Sequence, residues 1–100
     1  MRVFLTGVSG YLGGVLAEHF SHVQEIEKIT GIDLTPPKIP LPEKVEFIRM
    51  DVRSPEVCSL MAGHEAVVHT AFIVLWAAKM SAAERNDINL NGTRNVAEAA

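Results

Sequence analysis

Short apolar runs and longer stretches with a three/four rhythm follow one another along this chain, and the two rhythms predict strand and helix in turn. Arg2-Val3-Phe4-Leu5 reads as a first strand, after which Leu12, Val15, Leu16, His19 and Phe20 recur at the spacing of one helix face. Lys28 to Asp33 reads as a second strand and Val45 to Met50 as a third. Between them Leu34 to Pro42 holds four prolines, which lack amide donors and fix φ, so a surface loop is expected there. Ser54 as N-cap and Pro55 in the first turn open a short helix that ends near Gly63. Ala66 to Ala71 barely alternates, as a strand covered on both faces does. After a long loop, a last helix from about Ala82 turns Ile88, Val96 and Leu90 inward.

Strands alternating with helices predict an α/β fold with a parallel sheet and crossover connections. Right-handed crossovers put the strands in the order 3-2-1-4, the N-terminal half of a Rossmann-like doubly wound sheet, whose ligand crevice lies beyond the carboxyl ends of strands 1 and 4. Ala97-Glu98-Ala99-Ala100 closes the last helix without glycine or turn, which reads as a cut through a longer sequence. Strand 4 is then an open apolar edge, and self-pairing into a dimer or by helix swap is expected.

The first strand runs into Thr6-Gly7-Val8-Ser9-Gly10-Tyr11-Leu12-Gly13. A helix start leaves amides unpaired and carries partial positive charge, so a pyrophosphate can sit there if no Cβ blocks it. Gly7 suits the tight reversal, Gly10 the approach of the pyrophosphate, and Gly13 the close packing of helix on strand. The turn residues Gly7, Ser9, Gly10, Tyr11, Leu12 and Gly13 are therefore assigned to a dinucleotide cofactor. Asp33 ends the second strand 20 residues past Gly13, where a carboxylate accepts both ribose hydroxyls; a plain strand-end cap is the competing reading. A carboxylate facing the 2′-hydroxyl repels a 2′-phosphate, which favours NAD over NADP. Residues 1–100 are thus expected to be the N-terminal part of an NAD(P)-binding domain.

Composition narrows the picture further. The chain has 100 residues, is 48% hydrophobic and carries a net charge of −3 without a block of one sign, so nucleic acid is not an expected partner. The longest apolar stretch, Ala71 to Ala78, is too short to cross a bilayer, and Met1-Arg2 leads straight into a strand with no room for a signal segment. A cytoplasmic location is expected. Cys58 is the only cysteine, which excludes an internal disulfide, a thiolate zinc site and a Cys-x-x-Cys pair, and it is expected to be a small buried hydrophobe.

Five ordered motifs resemble the extended short-chain dehydrogenases, in their sugar-nucleotide epimerase/dehydratase branch. Thr6 to Gly13 is similar to the family's Thr-Gly-x-x-Gly-x-x-Gly, Asp33 to its ribose acid, and Asp51-Val52 to its adenine-contacting pair. Val68-His69-Thr70-Ala71 resembles His-x-Ala-Ala, with Thr70 departing from the usual alanine or leucine, and Asn89 to Val96 resembles Asn-x-x-Gly-Thr-x-Asn. The resemblance implies that the Asp51 carboxylate takes the adenine amino group while the Val52 amide approaches the ring. It implies that Thr70, Ala71 and Phe72 line the path to nicotinamide with backbone atoms, and that Asn89 orders the catalytic end. The family's reaction is hydride transfer with a tyrosine acid/base beside a lysine. Tyr11, the only tyrosine, sits in the glycine turn with no lysine four residues on, so no catalytic residue is assigned and the chain alone is expected to bind cofactor without turnover. The implied function is the NAD-binding portion of an epimerase or dehydratase acting on a nucleotide sugar or a similar hydroxyl or carbonyl compound. A non-catalytic dinucleotide sensor or scaffold is the alternative.

Other polar residues read as structural. His19 and His22 suit the negative end of the first helix better than a metal, His69 suits a hydrogen-bonded core, and Glu25 and Glu27 suit a solvated surface. No metal site is assigned. Phe72 to Met80, with Trp76, reads equally as a covered loop or as a lid over nicotinamide and substrate.

Overall fold

A computed structural model describes residues 1–73 and 80–100. Four parallel strands form one sheet: β1 (Arg2–Thr6), β2 (Lys28–Asp33), β3 (Val45–Arg49) and β4 (Ala66–His69), in the order β3-β2-β1-β4. The expected strand order and fold class are found. In the register Phe4 stands beside Thr30 and Val67, and Asp33 beside Arg49.

Because side chains alternate along a strand, β1 feeds two cores. Val3 and Leu5 join Val8, Ile29 and Ile26 under α1 (Tyr11–Ser21), while Phe4 joins Ile32, Val52, Val57, Met61, Ile88 and Val96 under α2 (Glu56–Met61) and α3 (Ala82–Ala99). The inward face of α1 differs from the expected one: Gly13 and Ala17 are buried with Leu16 and Phe20 half-buried, and Leu12 and Val15 are exposed. Small residues at positions 13 and 17 let the helix axis approach the sheet, so packing distance rather than hydrophobicity chooses the face.

Three further expectations are corrected. Leu90 is 68% exposed, because Ile88, Gly92 and Val96 follow one another at four-residue steps and set the inward stripe of α3, leaving Leu90 off it. Cys58 is exposed, since Val57 and Met61 take the inward positions of α2. Every residue of β4 is half-buried rather than covered on both faces, as befits the strand at the sheet's edge, and the strand stops at His69 instead of Ala71. Pro55 is the N-cap of α2 without a side-chain cap bond, one residue past the expected Ser54, whose hydroxyl accepts from the Glu56 amide at 3.2 Å. The proline-rich segment is a loop without regular structure, mostly exposed.

Candidate functional site

The carboxyl ends of β1, β2 and β4 open into one cleft of about 720 Å³, within the range of roughly 300–1,000 Å³ usual for small-molecule sites. Gly7, Ser9, Gly10, Asp33, Val52, Thr70, Ala71 and Phe72 line it, together with the apolar side chains of Leu34, Met50, Ile73, Met80 and Ile88. Asp33 is the one charged residue of the described lining.

The glycine turn is built by steric necessity at two points. Gly7 has φ of 76°, and a Cβ there would lie 2.6 Å from Thr70 Oγ1 and 2.7 Å from the Ala71 amide; a Cβ at Gly13 would overlap the Gly7 carbonyl. Gly10 differs. A Cβ there would meet only the Gly7 carbonyl, at 3.4 Å, and otherwise open space, so the protein's own packing does not demand glycine at this position. The first helical bond of α1 is Gly14 N to Gly10 O at 2.9 Å, and no side chain caps the helix. The Tyr11, Leu12 and Gly13 amides therefore have no acceptor among the described residues, and no acidic residue occupies the first turn. A polar cradle with free donors, and room where a methyl group would stand, fits a diphosphate.

Asp33 makes the backbone contacts of the competing strand-end reading and also lines the cleft. Its Oδ2 accepts from Ser9 N at 3.0 Å and its Oδ1 from Leu34 N at 2.7 Å and Thr35 N at 3.4 Å, tying the glycine turn to the end of β2. Ser9 Oγ adds a bond to the Thr35 carbonyl at 2.6 Å. Each carboxylate oxygen accepts two bonds, so Oδ2 keeps a lone pair towards the cleft.

A hydrogen-bonded chain supports the opposite wall. Buried Thr6 Oγ1 accepts from the Thr70 and Ala71 amides at 3.1 and 3.2 Å, so its own proton goes to His69 Nδ1 at 2.6 Å. His69 then carries its proton on Nε2, which donates to Thr93 Oγ1 at 3.0 Å, and Thr93 donates to the Asn89 carbonyl at 2.6 Å. Burial holds the His69 imidazole below its ordinary pKa, in keeping with this neutral tautomer. Asn89 is buried outside the cleft lining, and its amide grips the Ile73 backbone in both directions, at 2.7 and 2.8 Å. The departing residue, Thr70, donates to the Thr6 carbonyl at 2.7 Å.

Of the residues singled out by sequence, Tyr11, Leu12, Gly13, Asp51 and Asn89 stand outside the described lining. Tyr11 is 90% exposed on α1. Asp51 sits at the β3–α2 junction with its carboxylate bound by Arg53, which also reaches Asp87 on α3. The Arg53–Asp87 pair and the Thr6–His69 bond were not legible, because the fold brings these partners from α3 and β4; the apolar lining left its signal only as residues following each strand. Trp76 and most of the proposed lid, residues 74–79, lie outside the described residues. Among the described residues no three His, Cys, Asp or Glu side chains converge as a metal site, and no helix is long and apolar enough to cross a membrane.

A sequence profile of the 3-beta hydroxysteroid dehydrogenase/isomerase family matches residues 4–100. The chain belongs to this family. As a 3-beta hydroxysteroid dehydrogenase/isomerase family chain it meets the expectation of an extended short-chain dehydrogenase. Its fold is similar to that of a uronate dehydrogenase mutant from Agrobacterium tumefaciens complexed with NAD, at a TM-score of 0.79 and 27% identity over 99% of this chain and 36% of that one. A nucleoside-diphosphate-sugar epimerase from the same organism gives a TM-score of 0.80 and 27% identity over 99% of this chain and 32% of its own. The Bordetella bronchiseptica enzyme WbmH, in complex with NAD+, gives 0.79 and 25% over 99% and 34%. The family chain thus spans about a third of the length of these solved relatives. No curated protein matches it in sequence.

Proposed function

We propose that this chain is the dinucleotide-binding portion of an NAD-dependent oxidoreductase or epimerase acting on a sugar or a related hydroxyl or carbonyl compound. The observation that carries this reading is the uncapped first turn of α1 above Gly10, beside a carboxylate that faces the same cleft. The Tyr11, Leu12 and Gly13 amides would hold the diphosphate, and Ser9 and Gly10 would border it. Asp33 would take the ribose hydroxyls, Val52 the adenine face, and the backbone of Thr70, Ala71 and Phe72 the ribose leading to nicotinamide. Asn89 would act through Ile73, keeping that wall in place. When bound, NAD supplies a hydride acceptor; the chain's own part is to orient it and exclude water with the apolar lining.

Solved relatives of at least 25% identity with NAD bound support the choice of cofactor, and so does the absence of lysine and arginine from the described lining. Residues 1–100 form one nucleotide-binding unit in this reading, and turnover requires the tyrosine–lysine pair that the chain lacks.

Gly10→Ala and Gly13→Ala test the cradle as a pair. Gly10→Ala is expected to leave thermal unfolding within about 0.5 kcal/mol of the parent while weakening NAD by about tenfold or more in calorimetry. Gly13→Ala is expected to destabilise the fold by about 1–3 kcal/mol, because its methyl group collides with main chain. Undiminished NAD affinity in Gly10→Ala would sink the cradle reading.

A further inference from the structure

Gly92 stands in the interior of α3, where glycine is unfavourable, and its backbone is not left-handed, so the helix itself gives no reason for it. A neighbour gives one. A Cβ at this position would lie 2.5 Å from Val52 Cγ2 and 3.3 Å from Val52 Cβ, so the missing methyl group is what lets Val52 sit against the helix. Three residues on, Asn95 takes hold of the same segment: its amide nitrogen donates to the Val52 and Ser54 carbonyls at 2.8 Å each, one proton for each acceptor. Val52 is 4% exposed and shares a core with Ile32, Val57, Met61 and Val96. It also lines the cleft, together with Met50 and Ile88.

A β-branched side chain is stiff about χ1, and Val52 is otherwise enclosed by close-packed core, so a valine pushed away from α3 has room only towards the cleft. We propose that Gly92 and Asn95 position Val52 for the bound nucleotide: the glycine sets how deep the valine lies, and the asparagine fixes the backbone that carries it. Neither residue belongs to the described lining of the cleft. Both act through Val52 and are positioning residues. Placing them on α3 ties the shape of the cleft to a helix that follows the β3–α2 junction by some thirty residues or more, with β4 between them in the chain.

This role rests on the proposed NAD-binding function, and the two fail differently. Calorimetric titration with NAD compares the parent with Gly92→Ala, Val52→Ala and the two changes combined. Gly92→Ala is expected to weaken NAD by more than about fivefold, since its methyl group drives Val52 into the cleft. Val52→Ala removes the Cγ atoms and leaves only the 3.3 Å approach to Cβ. In that background, adding Gly92→Ala is expected to cost less than about fivefold. A merely structural glycine would alter thermal unfolding and leave the NAD affinity of the folded protein in place. If Gly92→Ala does not fold, Asn95→Ala decides, because it releases the two carbonyls without adding bulk: NAD is expected to weaken by more than about twofold, and a smaller change overturns the inference. A loss below about fivefold in Gly92→Ala, or above it when the same change is made in Val52→Ala, also overturns it. Failure of the parent to bind NAD at all overturns the underlying function instead.

Discussion

Asp33 shows how much one side chain can settle. Three backbone amides, from Ser9, Leu34 and Thr35, converge on it, and it still borders the cleft. Its spacing after the glycine turn made the position legible; its second role, as the tie between turn and strand, was not, because the Ser9 amide lies 24 residues away. The charge is what a 2′-phosphate would meet. Asp33→Asn keeps an acceptor oxygen and loses the charge, so the preference for NAD over NADP is expected to shrink on the order of tenfold when both are titrated calorimetrically. Equal affinities in the parent would remove the electrostatic argument. Glycine identity is similarly divided: Gly7 and Gly13 are demanded by the chain itself, whereas Gly10 leaves room for something else.

Between elements, the chain from Thr6 through His69 and Thr93 to Asn89 links β1, β4 and α3 beneath the cleft wall. A protonated His69 would turn Nδ1 from acceptor into donor against Thr6, whose lone pairs already serve the Thr70 and Ala71 amides. The ring's hydrogen-bond partners, Thr6 and Thr93, are uncharged, and burial is what lowers the imidazole pKa below its ordinary 6.5. The unfolded chain therefore binds this proton more readily than the folded one. The stability contributed by neutral His69 is complete above about pH 6.5 and declines as pH falls towards the lowered value. Denaturant unfolding at about pH 7.5 and pH 5 is expected to show a larger loss in the parent than in His69→Gln, which keeps an acceptor and a donor without titrating. An equal loss in both would exclude His69 as the source. His69 is hydrogen-bonded as expected but half-buried on the edge strand rather than in the core, and the direction of its bonds needed two threonines that no local spacing connects.

At the scale of the whole molecule, the cleft exists because a parallel sheet ends all its strands on one side. Leu34, Met50, Thr70 and Ala71 follow β2, β3 and β4 at that side, and α3 adds Ile88. The same sheet leaves the outer edge of β4 without a partner strand among the described residues. Self-association through that edge is expected for the 100-residue chain, visible as concentration-dependent sedimentation; a single monomer species at high concentration would exclude it.

The amino-acid sequence by itself determined the element order, the parallel α/β class, the glycine turn and the acid that follows it, because each is written in local spacing and in residues whose backbone chemistry admits few alternatives. Only the tertiary structure decided which face of α1 turns inward, that Leu90 and Cys58 point outward, that Asp51 is held by Arg53, and that Thr6, His69, Thr93 and Asn89 share one hydrogen-bonded path. Those outcomes depend on how closely elements approach and on partners dozens of residues apart, and distance through space is the quantity that periodicity along a chain does not carry.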